Sequence, residues 1–307
     1  MQSAARQGEQ GRAITLDPRP GGVLAACFHA MSSPCEILFA TADRQLALEG
    51  ARQCAAQAWR IEEKFSRQGM GSVVAHINAN AGRPTSIDAE TVHLLDVAAR
   101  CHALSDGLFD ITCGTLRQAW NFEAGHTLPT PAAIERLLEH VGFDRIERTG
   151  NSLVVPVGME IDLNGLAKEY AVDLALEQLE ASTPNLPPVL VNFGGDLRTN
   201  RPPASGPWNV GIEDLERSAT PAFLLALSKG ALATSVDTHR HIEHEGVRYG
   251  HILNPHTGWP VQGAPHSVTV AADTCLEAGT LSTIAFLKGA QAEAFLEGTG
   301  NPHWCLR

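Results

Sequence analysis

Four short stretches of this sequence set acids, amides, glycines and single basic residues side by side. They are Phe109-Asp110-Ile111-Thr112-Cys113-Gly114, the run EIDLNGLAK from Glu160 to Lys168, Asn192-Phe193-Gly194-Gly195-Asp196, and HILNPHTG from His251 to Gly258. Each follows an apolar run, the place where side chains and open amides can face a ligand instead of the core. In the second run, Asp162, Asn164 and Gly165 precede a helical pattern that carries Lys168. Open amides at a helix start and a nearby ammonium suit a phosphate. The same residues also make an Asx-turn and helix cap with Lys168 in solvent, and both readings stand at this point. In the third, Gly194 and Gly195 permit positive φ or close passage of a ligand, and Asp196 can accept from a ribose or ring nitrogen. A tight turn between two core strands needs much the same letters.

Other chemistries lose on spacing. Thirteen histidines invite a metal reading, and His239, His241 and His244 cluster ahead of His251 and His256, yet His-Glu-x-x-His is absent. Solvated histidines are the expectation. Ser235 in ATSVD lacks the Gly-x-Ser-x-Gly elbow and a local base. No Gly-x-Gly-x-x-Gly opens a βαβ unit and no glycine-rich run ends in Gly-Lys-Ser or Gly-Lys-Thr. Trp120, Trp208 and Trp259 read as packing residues before stacking platforms.

The elements that must hold these corners follow from apolar spacing. Val23–Ala30 and Cys35–Ala40 read as strands meeting at a turn around Ser32, Ser33 and Pro34. Ala47, Ala51, Cys54, Ala58, Ile61 and Phe65 form one stripe on a helix over 43–65. Asp88 is placed to cap a second helix, and Thr130 with Pro131 to start a third. Strands are expected at 153–157, 159–163, 189–192, 208–212, 222–227, 246–252 and 267–271, with helices after Leu166 and over 277–287. The irregular alternation predicts an α+β arrangement of mixed α/β layers, not a barrel or a doubly wound sheet. Residues 1–22 read as a flexible tail and 23–307 as one domain.

Composition narrows the function classes. Lys plus Arg is 23 against 34 for Asp plus Glu, a formal charge of −11, which argues against a nucleic-acid surface while leaving room for a local anion pocket. Seven cysteines without CxxC spacing read as buried thiols in a reducing compartment, none of them catalytic. No apolar leader core and no apolar run of roughly 18 residues is present. The expectation is therefore a cytoplasmic protein with no membrane insertion.

In order along the chain, these segments resemble the ApbE family of FAD:protein FMN transferases. The resemblance rests on Ala30-Met31-Ser32-Ser33, EEKFSR with Ser72, Ile77 and Asn78, FDITCGTL with a following Trp, EIDLNGLAKEYAVD, VNFGGD, GALATSVD, HILNPHTG and AGTLST. It spans about residues 23 to 290. It implies a mixed α/β fold that takes FAD and a divalent metal, usually Mg2+, and moves FMN to a Thr or Ser hydroxyl of an acceptor protein with release of AMP. By position it implies His251 as the base, and Asp162, Asn164, Gly165 and Lys168 around the phosphates. Gly194, Gly195 and Asp196 would meet the flavin or ribityl part, and Met31, Ser32 and Asp110 would line the flavin pocket. Asp237 occupies an acidic position of the family, Thr257 shapes the turn after His251, and Ala167 or an adjacent carbonyl would lie near the metal, with Thr283 as the remaining hydroxyl ligand.

The resemblance also exposes departures. The family's last motif, Ala-Asp-x-x-x-Thr, here reads Ala278-Gly279-Thr280-Leu281-Ser282-Thr283, so Gly279 stands at the carboxylate position. Asn254 replaces an acid, and Ser32 and Val236 each replace a glycine. A missing anionic ligand weakens Mg2+ binding. The alternatives to transfer are thus an FAD-binding protein with weakened or lost activity, or a pyrophosphatase giving FMN and AMP.

Overall fold

The computed structural model describes residues 12–67, 69, 71–122, 127–213, 221–237 and 241–307. In chain order the first elements are β1 (Thr15–Arg19), β2 (Val23–Ala30), β3 (Ser33–Phe39), α1 (Arg44–Phe65), α2 (Val73–Ala79), β4 (Thr85–Ser86) and α3 (Ala89–Leu104). A 3-10 helix at Ile111–Gln118 and α4 (Pro131–Leu138) lead to β5 (Glu147–Thr149), β6 (Ser152–Val154) and α5 (Asn164–Ser182). Then come β7 (Val189–Phe193), β8 (Asp196–Thr199), β9 (Trp208–Glu213), β10 (Pro221–Leu227), β11 (Gly230–Val236), β12 (His241–His244) and β13 (Val247–Gly250). The chain ends with β14 (Ser267–Ala272), α6 (Cys275–Leu287), α7 (Ala292–Thr299) and β15 (His303–Leu306).

Two compact units result. The first takes the chain up to Glu62, then Lys168–Ala233 and Ala271–Ala278; the second takes Glu63–Ala167, Thr234–Val270 and Gly279–Arg307. The boundaries fall inside helices and strands, so no Pro- or Gly-rich linker marks them, and the single body expected after residue 22 has no sequence signal to divide it. Residues 1–11 of the expected tail and His239 lie outside the described residues. Thr15–Arg19, expected in the tail, forms β1 and pairs antiparallel with β2 from Thr15↔Cys27 to Arg19↔Val23. Its outward polar residues hid it: an edge strand needs only ladder hydrogen bonds and little apolar surface.

In the first unit the strands run β1-β2-β3-β7-β8-β11, every pair antiparallel. Helices α1 and α5 lie together, with Cys54 Sγ donating to Ala175 O at 3.8 Å and Ser182 Oγ to Gln53 Oε1 at 2.8 Å. The stripe Ala47, Ala51, Cys54, Ala58, Ile61 and Phe65 is buried throughout, and small residues let the helices approach closely. A Cβ on Gly50 would stand 2.9 Å from Phe39 Cε1 of β3 and 3.2 Å from Leu179 Cδ1 of α5. Each large side chain sealed there contributes about 1.5–3 kcal/mol.

Two cores are seen among the described residues of the second unit. Val268 and Val270 of β14 pack with Leu281, Ala285 and Phe286 of α6 and Leu296 of α7, and β15, absent from the sequence expectations, pairs with β14. The other core joins Leu116, Trp120, Ile134, Ile242 and Leu253. The caps appear as expected: Asp88 Oδ1 accepts from Thr91 N at 2.9 Å, and Thr130 Oγ1 from Ala133 N at 3.3 Å.

Two strand expectations change. Ser33 and Pro34 belong to β3, and the turn falls at Met31 and Ser32. Met159–Leu163 forms no ladder; the Asn78 carboxamide takes a neighbouring strand's place, accepting from Ile161 N at 2.9 Å and donating to Ile161 O at 3.0 Å.

Candidate functional site

In the first unit the β2–β3 hairpin turns on Met31 and Ser32, with φ of 50° and 56°, the positive-φ pair that matches hairpin twist. Met31 N donates to Glu62 Oε1 at 2.8 Å, which ties the turn to α1. Beside it, β7 and β8 turn on Gly194 and Gly195, with φ of 63° and 96°. A Cβ on Gly194 would meet Ser33 Cβ at 2.7 Å, whereas one on Gly195 meets nothing within 4 Å. Gly194 is therefore required by space and by φ, and Gly195 by φ alone. Lys168 Nζ lies 3.7 Å from the Gly194 Cβ position and 2.5 Å from Asp196 Oδ2. Lys168 of α5 and Asp196 of β8 thus stand beside the Gly194–Gly195 turn, which adjoins the Met31–Ser32 turn. Lys168 is paired, not simply solvated.

Charge is concentrated behind those turns. Burial drives the Lys168 pKa down, but Asp196 and Glu169 outweigh it and hold the ammonium above its usual range. Burial and then Asp196 push the Glu169 carboxyl up to about 8, against the opposing pull of Lys168. Burial also raises Asp173, while the Leu276 and Cys275 amides pull it back; they donate to Asp173 at 2.9 and 2.8 Å and Arg198 pairs with it at 3.0 Å. Glu169 was not singled out in sequence, although Glu169 and Asp173 stand four apart on α5, a spacing that puts both acids on one helix face.

In the second unit the FDITCG and EIDLNG corners meet. Asp162 N donates to Ile111 O at 2.8 Å, and a Cβ on Gly114 would press on Glu160 O at 3.0 Å and Asp162 Cβ at 3.1 Å. Asp162 Oδ1 accepts from Asn164 N at 2.9 Å, the Asx-turn that opens α5; Gly165 faces the Phe109 ring, and Ala167 is buried one turn in. Asp110 accepts from Thr112 N at 2.7 Å and Thr112 Oγ1 at 2.6 Å through Oδ1, and from Phe143 N at 3.0 Å through Oδ2. Its carboxylate caps the 3-10 helix and secures the next loop.

His251 follows β13 at the rim of an aromatic cluster. Its ring meets Phe122 edge-on at 6.4 Å, Phe122 stacks on Trp120 at 5.4 Å, and Trp120 meets Trp259 edge-on at 5.3 Å. Trp120 Nε1 donates to Gly258 O at 2.8 Å, so this tryptophan is a packing residue that anchors the HILNPHTG turn. At Gly258, φ is 71° and a Cβ would lie 2.4 Å from Ile134 Cγ2. Thr257 Oγ1 accepts from Trp259 N at 3.3 Å within the same turn. Asp237 packs against Gly250, the residue before His251, and its Oδ1 lies 3.8 Å from Arg248 and 3.7 Å from His266.

A separate group of hydroxyls lies at the end of β11. Ser235 Oγ is 2.9 Å from Ser282 Oγ and 3.0 Å from Thr283 Oγ1, and Ser282 donates to Gly279 O at 3.0 Å.

A sequence model of the ApbE family matches residues 31–303. The chain belongs to the ApbE family. Among the relatives of this ApbE-family chain are FAD:protein FMN transferases of Haemophilus influenzae, 29% identical over 75% of this chain and 69% of that protein, and of Treponema pallidum, 30% identical over 73% and 67%. The ApbE protein of Thermotoga maritima superposes with a TM-score of 0.83 at 30% identity, over 91% of this chain and 92% of that one. The apo flavinyl transferase ApbE of Pseudomonas stutzeri gives 0.80 at 25%, over 94% and 90%. The mixed α/β fold of this chain is the ApbE fold.

The family's expected Mg2+ site does not fit these residues. Among the described residues no group of three or more His, Cys, Asp or Glu side chains could hold a metal ion. Thr283 offers a neutral hydroxyl already bonded within a hydroxyl cluster, Gly279 offers no side-chain oxygen, and at Ala167 the main chain offers a neutral carbonyl. Mg2+ relies on carboxylates or substrate phosphates for near-octahedral oxygen ligation. The expectation of Ala167 and Thr283 as metal ligands therefore has no protein-built cage behind it.

Proposed function

We propose that this protein transfers FMN from FAD to a Thr or Ser hydroxyl of an acceptor protein and releases AMP. The acceptor oxygen bonds to the FMN-side phosphorus, the anhydride P–O bond breaks, and the electron pair leaves on AMP. His251 takes the hydroxyl proton. The single observation that carries this reading is an imidazole held on a packed aromatic shelf, within a family whose relatives bear that activity in their names. General-base removal of a proton contributes about 100- to 10,000-fold to such a step. Lys168, kept charged by Asp196, offsets diphosphate charge. The Met31–Ser32 and Gly194–Gly195 turns receive the flavin and ribityl part.

Gly279, standing where the family motif has Asp, favours a second reading, FAD binding without transfer or with hydrolysis to FMN and AMP. Incubation with FAD, with and without Mg2+, and a Thr-bearing peptide separates these outcomes. Intact mass shows FMN on the peptide for transfer, free FMN for hydrolysis, and unchanged FAD for binding alone. No described helix is long and apolar enough to cross a membrane.

A further inference from the structure

An imidazole that takes a proton must hold its plane. The terminal torsion of a histidine side chain is broad and roughly two-fold, so a ring with nothing against it sweeps its lone pair through directions that miss the hydroxyl. In the second unit a stack of rings restrains His251. Trp120 is buried and tied at two points: its Nε1 donates to Gly258 O at 2.8 Å, and the Trp259 ring meets it edge-on at 5.3 Å and 87°. Phe122 lies parallel to that indole, with 2° between the planes and 5.4 Å between the centroids. His251 then crosses Phe122 at 79°, with centroids 6.4 Å apart. The parallel contact carries the setting of Trp120 to Phe122, and the crossed contact is the edge-on arrangement that aromatic quadrupoles favour.

Filling space is not the whole account of Phe122. Its ring is half-buried at the margin of the core formed by Leu116, Trp120, Ile134, Ile242 and Leu253, not one of that core's buried members. The Arg117 guanidinium stands 5.6 Å from the Phe122 centroid and gives the ring a further neighbour. A leucine at this position would supply comparable apolar bulk but no flat face and no quadrupole, so volume and direction can be separated. Direction matters because a displacement of about 1 Å at a reacting group can cost about 100-fold in rate.

We propose that Phe122 is a positioning residue: fixed on Trp120, its ring sets the plane of the His251 imidazole and so the direction from which that base meets the acceptor hydroxyl. The proposal rests on the transferase reading for what His251 does, and its two halves are measured separately. Proton NMR of histidine-labelled protein without FAD reports the ring itself. H251A identifies the His251 signals among the thirteen histidines, and those ring protons carry the ring-current shift of Phe122. Phe122→Leu should displace them, and Phe122→Tyr should retain them. Transfer of FMN from FAD to a Thr-bearing peptide reports the consequence. F122L should lower kcat by about 10- to 100-fold with KM for FAD and peptide near the native values, the pattern of an interaction that counts only in the transition state. F122Y should keep nearly the native rate. Phe122→Met, whose unbranched side chain fills irregular gaps, takes the place of F122L if that variant melts early. Unmoved His251 signals in F122L overturn the proposal, and so do displaced signals alongside an unchanged kcat. Equal loss of rate in F122L and F122Y, or a raised KM with kcat kept, also overturns it and gives Phe122 to packing or binding. Signals displaced in F122L and retained in F122Y, in a native chain that moves no FMN, keep the hold of Phe122 on the ring and remove the transferase reading.

Discussion

The Lys168 corner of the first unit and the His251 corner of the second are built from opposite materials. Around Lys168, ionisable groups hold one another: Asp196 pairs with the ammonium, while Glu169 and Asp173 lie buried nearby. The His251 ring meets Phe122 at the edge of an aromatic cluster, next to a glycine turn. Charges fixed by charges cannot be removed singly without leaving a partner stranded, so binding and stability are tied together there. A ring perched on an apolar shelf can be trimmed with little consequence for the shelf, so chemistry and stability separate.

The largest expected effect breaks that comparison at its chemical end. His251→Ala should lower the FMN transfer rate by about 100- to 10,000-fold while FAD affinity and the melting temperature stay near those of the native chain. Equal rates at saturating acceptor would make His251 a packing residue. At the charged end, Asp196→Ala removes the buried carboxylate that pairs with a half-buried ammonium, a change expected to cost less than the about 3–5 kcal/mol of fully buried pairs. Urea denaturation should show the loss directly, and FAD titration of the folded fraction should weaken with it. Stability retained alongside weakened FAD binding would show that the corner's charges are separable after all.

Smaller effects sharpen the contrast. Gly258→Ala places a methyl where Ile134 already stands and keeps a positive φ, so about 1–3 kcal/mol of overpacking is expected. Gly195→Ala, at positive φ with open space around it, should cost less. Comparison of the two by thermal melting tests whether steric closure, and not φ alone, fixes the His251 turn. The Glu169 carboxyl titrates near 8 in the folded chain, well above an ordinary Glu. Between the unfolded pKa of about 4.3 and that value the folded state holds the extra proton, so stability falls as pH rises through the window and levels off above it. Glu169→Gln should flatten this part of the pH–melting curve; an unchanged slope would place the proton elsewhere.

What the amino-acid sequence reveals depends on how local the cause is. The α1 stripe and the Asp88 and Thr130 caps are legible because each is settled within a turn or two of helix. The Gly194 turn is legible as a turn, but its demand for glycine comes from Ser33, far away in sequence. Met159–Leu163 reads as a strand because its apolar run is right, yet its partner is the Asn78 side chain, which no periodicity reveals. Phe122 as the link between Arg117 and His251, and the buried setting of Glu169, are likewise tertiary facts. The corners that could do chemistry were visible as residue types, whereas their division between two units was not.

The smallest expected change addresses the hydroxyl cluster, which resembles neither corner because it has neither a buried ion pair nor an aromatic shelf. Gly279 is buried on α6, and its carbonyl already accepts from Ser282. Gly279→Asp puts a carboxylate beside the Ser235, Ser282 and Thr283 hydroxyls. Helix propensity favours Asp over Gly by at most a few tenths of a kcal/mol, and burial of an uncompensated carboxylate costs more than that. G279D should therefore melt below the native chain without Mg2+. If the added oxygen completes a cation site, Mg2+ binds the folded state alone, and saturation at about 100 times Kd returns about 2.7 kcal/mol. The expected signature is a melting temperature that climbs with Mg2+ in G279D and stays flat in the native chain, with heat of binding in calorimetry to match. A flat response in a folded G279D would mean that position 279 does not face a metal site, and the correspondence with the family's Ala-Asp-x-x-x-Thr motif would fall. A native chain whose melting temperature already climbs with Mg2+ would instead show that hydroxyls and water suffice, and that the carboxylate is dispensable here.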